Sequence, residues 1–437
     1  MAPDPESVKA ARSLATPRPW SSLGCDDRAI WGACQGSGKD PYRTQIDWQG
    51  PAFKCSCPSR KFPCKHGLAL LLLLADQPAL FTAVPVPAWV SEWLATRDEK
   101  AETKAKKEAA PTRPPDPEAA AKRAGQRAAR VAQGLGDLSL WMQDLVSHGL
   151  ASLPGKPFSF WEQQAARLVD AQAPGAARLV RELAAAAMAG EGWQHRVVDG
   201  LARLHLLIQA YARIDALPAA TQEDVRSLVG FTVAQESVLA GDAVRDKWLV
   251  AGQAVEQEER LCVQRTWLWG ANSRRAALVL EFAAGPGAGF KTALPPGATV
   301  DAELCFYPGA APLRALVKQV HAVEAQARGL IHAVPLAEAF AGFRERVAAN
   351  PWTQDQPAAL AAVTPVQANA RWLLQDAAGA VAPLRAGVNV NLVLAALSAG
   401  GAFDLFGVWD GYALEPWTVW CEGGRTVVPR RVTPEAA

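Results

Sequence analysis

The sequence predicts a multidomain α+β protein, and three observations lead to that prediction. Its 437 residues exceed what one ordinary core holds, because domains cluster near about 100 to 150 residues. Residues 126–235 have apolar side chains at three- and four-residue spacing, which favours helices. Residues 236–437 alternate instead and contain many β-favouring side chains. We therefore expect a small β-rich N-terminal domain, a helical middle region and a mixed, mostly antiparallel α+β C-terminal domain.

Residues 1–96 are expected to form the first domain. Three short strand-like stretches, RAIWGACQ, YRTQIDWQ and AFKCSC, are separated by Gly, Pro and Asp, and an apolar run follows from Leu68. This order predicts a small β unit closed by a helix. Residues 97–125 are rich in Ala, Lys, Glu and Pro and contain no aromatic side chain. They predict a linker, with helix resuming near Pro117.

The middle and C-terminal regions are distinguished by the period of their apolar residues. In the helical region, 126–235, Leu138, Trp141 and Leu145 fall on one face of a helix. Residues 236–437 are expected to form a Trp-rich α+β domain, because the strand-like stretches are interrupted by two helical ones, LAEAFAGFRERVAAN and NVNLVLAALSAG. The 16 Trp of the chain imply packed cores or stacking surfaces.

Composition indicates a globular protein without a membrane span. Half of the residues are hydrophobic and a fifth are charged, a typical balance for globular chains. The longest apolar run, 68–75, has eight residues, whereas a spanning helix needs about 20. The N-terminus has acids and prolines where a secretory signal needs a basic start and an apolar run. We expect a cytoplasmic location with reduced thiols.

A cluster of cysteines beside a histidine predicts a zinc site. Cys55, Cys57, Cys64 and His66 follow the pattern C-x-C-x6-C-x-H in KCSCPSRKFPCKHG. Thiolates and a neutral imidazole are ligands that zinc prefers in a tetrahedron. In C-x-C and in C-x-H, one residue separates the two ligands, so their side chains lie on the same side of an extended or turning segment. Each pair can therefore hold one edge of the tetrahedron. The spacer between the pairs is long enough to turn back.

The pattern predicts one structural zinc ion. Four protein ligands leave no open coordination position, so the site is expected to stabilise the fold and not to hydrolyse a substrate. The alternative is a set of buried or redox-active thiols beside a chance histidine. Cys25 and Cys34 could add ligands, but the tetrahedron is already full, which favours a structural role for both.

The segment resembles the SWIM zinc finger, whose signature is C-x-C, a variable spacer and C-x-H. All four signature positions match, as Cys55, Cys57, Cys64 and His66. Over residues 20–95 the chain further resembles bacterial SWIM-finger proteins. The resemblance implies a zinc-binding module that contacts DNA or protein. It also implies a protein partner, because bacterial proteins of this kind accompany MoxR-type AAA+ ATPases and von Willebrand A-type proteins.

Basic residues surround the ligands. Residues 1–130 hold 20 Lys and Arg against 14 Asp and Glu. The candidate nucleic-acid contacts are Lys39, Arg43, Lys54, Arg60, Lys61 and Lys65. They are interleaved with aromatic side chains, so they could form a phosphate-contacting surface with stacking platforms for DNA or RNA. Equally, the aromatic residues could fill a small core while the cations keep it soluble.

Two classes of function remain open. Isolated histidines and adjacent acid pairs nominate no active site, so the first hypothesis is a non-catalytic adaptor that binds protein, nucleic acid or both. The second is an enzyme whose active site lies in the C-terminal domain without a recognisable motif. The first fits better because the metal site is the one chemically organised cluster.

Overall fold

The computed structural model divides the chain into two compact units. One comprises Met1–Pro115 with Gly285–Gly289, and the other comprises Asp116–Ala284 with Phe290–Ala437. The residues that the structure describes are 5–36, 38, 40–48, 52–59, 63–82, 84–109, 117–258, 261–283, 290–292, 294–369, 371–385, 387–421 and 424–428. Within them, no helix has the length and apolar character needed to cross a bilayer.

The first unit is a small antiparallel sheet with helices. Its strands are β1 (Trp20–Cys25), β2 (Ala29–Cys34), β3 (Tyr42–Asp47) and β4 (Ala52–Cys55), and its helices are α1 (Pro5–Leu14), α2 (Lys65–Asp76) and α3 (Ala88–Ala109). The strands lie in the order β1-β2-β3-β4. The three predicted strands and the predicted closing helix are therefore present, whereas β1, α1 and α3 add to the prediction.

Both faces of this sheet are covered, because successive side chains of a strand point to opposite sides. On one face, Ile30 and Ile46 pack with Leu70 and Leu73 of α2. On the other face, Trp31 packs with Val90 and Leu94 of α3. As a result, all six residues of β2 are buried. The core on the α2 side is the larger of the two, and together they supply the apolar burial that stabilises this unit.

The predicted linker, 97–125, is largely helical where the structure describes it. Helix α3 continues through 97–109, and the next helix, α4, begins at Pro117, which is where the sequence predicts that helix resumes. The charged and alanine-rich composition that excludes a core is also compatible with a helix, since Ala, Lys and Glu are strong helix formers. The intervening residues 110–116 lie outside the described ones.

The helical region follows the predicted periodicity. Its helices are α4 (Pro117–Ser147), α5 (Phe158–Asp170), α6 (Pro174–Ala187), α7 (Trp193–Ala212), α8 (Ala219–Val229) and α9 (Gln235–Leu239). Leu138 and Leu145 of α4 are buried in one apolar core with Leu204 and Leu207 of α7, and Trp141 packs against it partly buried. The three- and four-residue spacing therefore does mark the buried stripe of these helices.

A closed barrel comes next. Its strands are β5 (Ala243–Glu258), β6 (Leu261–Gly270), β7 (Ala276–Ala283), β8 (Ala298–Phe306) and β9 (Arg314–Gln326). They close in the order β5-β6-β7-β9-β8. All pairings are antiparallel except the short parallel contact between β7 and β9. The mostly antiparallel C-terminal architecture expected from the sequence is therefore confirmed.

A six-stranded antiparallel sheet packs beside the barrel. It contains β10 (Gln356–Ala368), β11 (Arg371–Gln375), β12 (Val381–Pro383), β13 (Phe403–Trp409), β14 (Leu414–Cys421) and β15 (Gly424–Val427), with helices α10 (Leu336–Ala349) and α11 (Val388–Ser398). In β5, Trp248 and Val250 point into the barrel, while Leu249 and Ala251 point toward the sheet, where they join Phe406 in a second core.

Candidate metal centre

The four predicted ligands come from two neighbouring pieces of backbone. Cys55 is the last residue of β4, and Cys57 lies two residues beyond it. Cys64 is the N-cap residue of α2, and His66 lies in the first turn of that helix. The β3–β4 hairpin therefore supplies one pair of ligands and the start of a helix supplies the other.

The ligand atoms converge. One ligand atom from each of Cys55, Cys57, Cys64 and His66 lies within 4.8 Å of the others. The Nδ1 atom of His66 is 3.8 Å from Sγ of Cys55 and 4.0 Å from Sγ of Cys64. A tetrahedral zinc ion with ordinary bond lengths separates sulfur from nitrogen by about 3.6 Å. The four side chains therefore fit a single zinc ion, with Nδ1 as the coordinating nitrogen.

The electrostatics of the cluster favour a thiolate at the helix N-terminus. The pKa of Cys64 is lowered to about 3, mainly by the hydrogen bond with the Cys55 thiol, with further contributions from His66 and the backbone N–H of Gly67. The same hydrogen bond with Cys64, followed by burial, raises the pKa of Cys55. Burial is the main cause that raises the pKa of Cys57. In this arrangement the thiolate lies on Cys64, and the other two sulfur atoms keep their protons.

Neighbouring side chains orient the ligands. The hydroxyl of Thr44, a fully buried residue of β3, lies 3.2 Å from Sγ of Cys55. The Tyr42 ring lies over the imidazole of His66 with 5.0 Å between centroids. A Cβ atom on Gly67 would come within 3.1 Å of the Phe53 ring. Such partners fix ligand orientation and raise metal affinity in other zinc sites.

The remaining cysteines of this unit lie outside the cluster. Sγ of Cys25 donates to the carbonyl oxygen of Phe81 at 3.3 Å. Cys34 is fully buried in the sheet core, and burial raises its pKa. The structural role expected for both thiols agrees with these positions.

The structure brings two of the six predicted basic residues together. Arg43 of β3 and Lys54 of β4 line one cleft of about 390 Å³, whereas Lys65 is exposed at the start of α2. Lys39, Arg60 and Lys61 lie outside the described residues. The cleft is on the sheet face opposite the ligands, because Arg43 and Lys54 alternate with Thr44 and Cys55 along their strands.

Sequence reasoning missed the other wall of this cleft. It is formed by Trp89, Glu92, Trp93 and Thr96 of α3. The two tryptophans are four residues apart and therefore share one face of the helix. That spacing, together with Val90 and Leu94, is the signal that predicts such a helix, although it lies beside a charged segment that suggests a linker.

Comparison with known proteins gives two matches to family models. Residues 54–75 match the SWIM zinc finger, which contains all four ligands. Residues 126–229 match the SWIM-associated four-helix bundle domain and correspond to helices α4 to α8. No curated protein and no solved structure matches the chain. The chain therefore contains a SWIM zinc finger with its four zinc ligands, followed by a SWIM-associated four-helix bundle domain.

Proposed function

We propose that the protein is a non-catalytic adaptor whose zinc-organised first unit binds single-stranded nucleic acid. The observation that carries the proposal is the cleft between the β3–β4 hairpin and α3. Two cations, Arg43 and Lys54, line it on one side, and two partly buried indoles, Trp89 and Trp93, line it on the other. Exposed cations contact phosphates, and aromatic faces accept unstacked bases at about 1 to 3 kcal/mol per base.

The metal loop is tied to this cleft through the backbone. Ser56 lies between the ligands Cys55 and Cys57. Its N–H donates to the carbonyl oxygen of Arg43 at 3.0 Å, and its hydroxyl accepts from the N–H of Arg43 at 3.0 Å. Zinc binding therefore fixes the strand that presents Arg43. A zinc ion with four protein ligands has no open position for a substrate, so its role in this proposal is to hold the binding surface in shape.

The cleft is mixed in charge. Glu92 faces the same cavity as the two cations, and its carboxylate opposes phosphate. Arg97, one turn beyond Trp93, stacks on that indole at 5.5 Å from the ring centroid. Stacking is therefore expected to supply more of the affinity than charge. A duplex hides its base faces, so this balance favours a single strand.

Salt-dependent binding to an oligothymidylate tests the proposal. Changing both Arg43 and Lys54 to Gln should flatten the log–log salt slope by about 0.7 for each phosphate that is no longer neutralised. Trp93→Leu should weaken binding about tenfold with the slope unchanged, since stacking does not release counterions. Lys65→Gln, on the other side of the sheet, is the matched control. Absence of binding by the wild-type protein at low salt, or an equal effect of Lys65→Gln, would refute the assignment to this cleft.

The adaptor proposal includes a protein partner. The resemblance to bacterial SWIM-finger proteins supports a MoxR-type AAA+ ATPase or a von Willebrand A-type protein in that role. Affinity capture with the full chain, followed by reconstitution from purified components, tests it. Capture of neither class, with zinc content intact in the bait, would count against this partner and leave the nucleic-acid cleft to be judged on its own experiment.

A further inference from the structure

The second unit contains a cleft of about 500 Å³. It lies where β6 of the barrel, helix α10 and strands β10 and β13 of the six-stranded sheet meet. Its walls include the aromatic rings of Trp269, Phe340 and Trp409, and Phe340 contacts Trp409 edge to face at 4.9 Å between centroids. A cleft of this size with largely apolar walls suits a small molecule.

Five buried donor atoms in the lining of this cleft have no partner among the described residues. They are Nε1 of Trp269, Nε1 of Trp409, Nε2 of Gln356, and Nε and Nη2 of Arg346. Gln356 is 97% buried, its exposed fraction being 3%. A buried donor without a partner costs about 1 to 3 kcal/mol. All five are donors, so a ligand that supplies acceptors would satisfy those that it reaches.

The two unpartnered atoms of Arg346, Nε and Nη2, lie side by side on one edge of the guanidinium. Elsewhere in this unit, the same two atoms, Nε and Nη2, hold a carboxylate side-on. Arg181 binds Glu162 in this way, and Arg245 binds Asp301 with donor–acceptor distances of 3.0 and 2.9 Å. Arg346 presents the same fork without a protein carboxylate in it. Bidentate pairing of this kind is selective for planar oxyanions.

No acidic side chain described in the structure forms an ion pair with Arg346. Glu338 and Glu345 also line the cleft, but both are exposed. Burial, and to a smaller extent the positive charge of Arg275, lower the pKa of Arg346. Arg275 itself stacks on the Phe306 ring at 3.8 Å. The guanidinium is thus a cation in an apolar wall, and a negative ligand would neutralise it.

From these contacts we infer that the cleft binds a small organic carboxylate with an aromatic or aliphatic body. The carboxylate pairs with the fork of Arg346, the body packs between Phe340 and the two indoles, and Gln356 donates to a further acceptor. The inference does not depend on the zinc site or on the nucleic-acid cleft.

Binding is tested with a panel of aryl and alkyl carboxylates headed by 3-phenylpropionate, each beside its neutral amide, and with inorganic phosphate. Calorimetry on the full chain should show at least one acid that binds at least tenfold more tightly than its amide. Arg346→Met should remove at least tenfold of the acid's affinity and leave that of the amide unchanged. Arg344→Met, an exposed position on the same helix, is the matched control and should change neither.

Stability separates a ligand-binding role from a structural one. An arginine that is unpaired in the free protein costs stability, so Arg346→Met should raise the Tm of the unliganded protein by about 2 to 4 °C. A structural arginine would lower it. The inference is overturned if Arg346→Met lowers the Tm, if no acid in the panel shows a preference that depends on Arg346, or if phosphate binds as tightly as the acids.

Discussion

The two units differ in how much apolar material holds each together. In the first, a four-stranded sheet has one core on the α2 side and a smaller one, Trp31 with Val90 and Leu94, on the α3 side, and four side chains converge on one metal position. The second contains a helical core larger than either of these, and also a barrel interior, a barrel–sheet core and a core in the six-stranded sheet. A small unit with little total apolar burial depends on a cross-link more than a large one does.

The largest expected effect is loss of zinc from the first unit. Binding energies of about 10 to 16 kcal/mol for structural zinc exceed the total stability of a small domain. Chelation, or the double change Cys55→Ser/Cys64→Ser, should therefore unfold the first unit and leave the second folded. Elemental analysis should give one zinc per wild-type chain and none in the variant.

Limited proteolysis reports on the two units separately. With chelator, cleavage should spread through residues 5–109, and the fragment beyond Pro117 should persist. The comparison between the units fails if protection is lost across both, or if the double variant retains its zinc.

A core substitution in the second unit should destabilise that unit and leave the first unit and its zinc unchanged. Trp248 is fully buried in the barrel, and its Nε1 donates to the carbonyl oxygen of Ala302 at 3.0 Å. Trp248→Ala should lower the free energy of unfolding by about 3 to 5 kcal/mol through the cavity it leaves. Phe282→Ala, at an exposed barrel position, serves as the control.

Denaturant titration and zinc analysis of the same samples test this. The barrel transition should move while zinc content stays at one per chain. A loss of zinc in Trp248→Ala would mean that the stabilities of the two units are coupled.

A smaller effect is expected when a neighbour of the ligands is changed. Thr44→Val keeps the shape of the buried side chain and removes the hydroxyl beside Cys55. Loss of that hydrogen bond should weaken zinc binding about 10- to 100-fold. Competition with a chromogenic chelator measures the change. Ser21→Ala, on β1 and away from the cluster, should leave the affinity unaltered, and an equal loss there would point to a general weakening of the sheet.

The smallest signal is the number of protons released on zinc binding. Near pH 7.5, Cys64 is already a thiolate because its pKa is lowered to about 3, whereas Cys55 and Cys57 keep their protons because their pKa values are raised. A metal-free cluster that stays folded would therefore release about two thiol protons to zinc. Because loss of zinc unfolds the first unit, the apoprotein should instead release about three, as an unfolded peptide of the same sequence does, and its affinity for zinc should rise with pH.

Calorimetry in buffers of different ionisation enthalpy counts these protons. Release of only two protons would show that the ligand cluster stays assembled without metal, against the unfolding expected on chelation.

Sequence predicts this protein best where the determinants are local. The zinc ligands follow from the spacing of Cys55, Cys57, Cys64 and His66, since a hairpin end and a helix start need few residues to meet. The buried stripe of α4 follows from a period of 3.6. Both arguments use residues within about a dozen positions of one another.

The remaining features depend on long-range pairing. Strand β9 closes the barrel by pairing Val279 of β7 with Ala315 in parallel, and no local pattern specifies that partner. Likewise, Arg346 resembles any helical arginine in the sequence. Its fork becomes distinctive only when β6, β10 and β13 surround it without supplying a carboxylate. Both features depend on which distant segments of the chain come together, so residue types alone do not predict them.

Barrel closure also bears on self-association. Exposed strand edges offer unpaired backbone groups to a second molecule. Barrel closure, through the pairing of β5 with β8 and of β7 with β9, removes part of that edge. The six-stranded sheet does have two edges, yet its edge strands are short: β12 has three residues and ends at Pro383, and β15 has four. Proline cannot donate to a further strand. In the folded state, the short edge strands of this sheet therefore disfavour edge-to-edge aggregation. In the unfolded state, the exposed Trp side chains of the same region would favour aggregation.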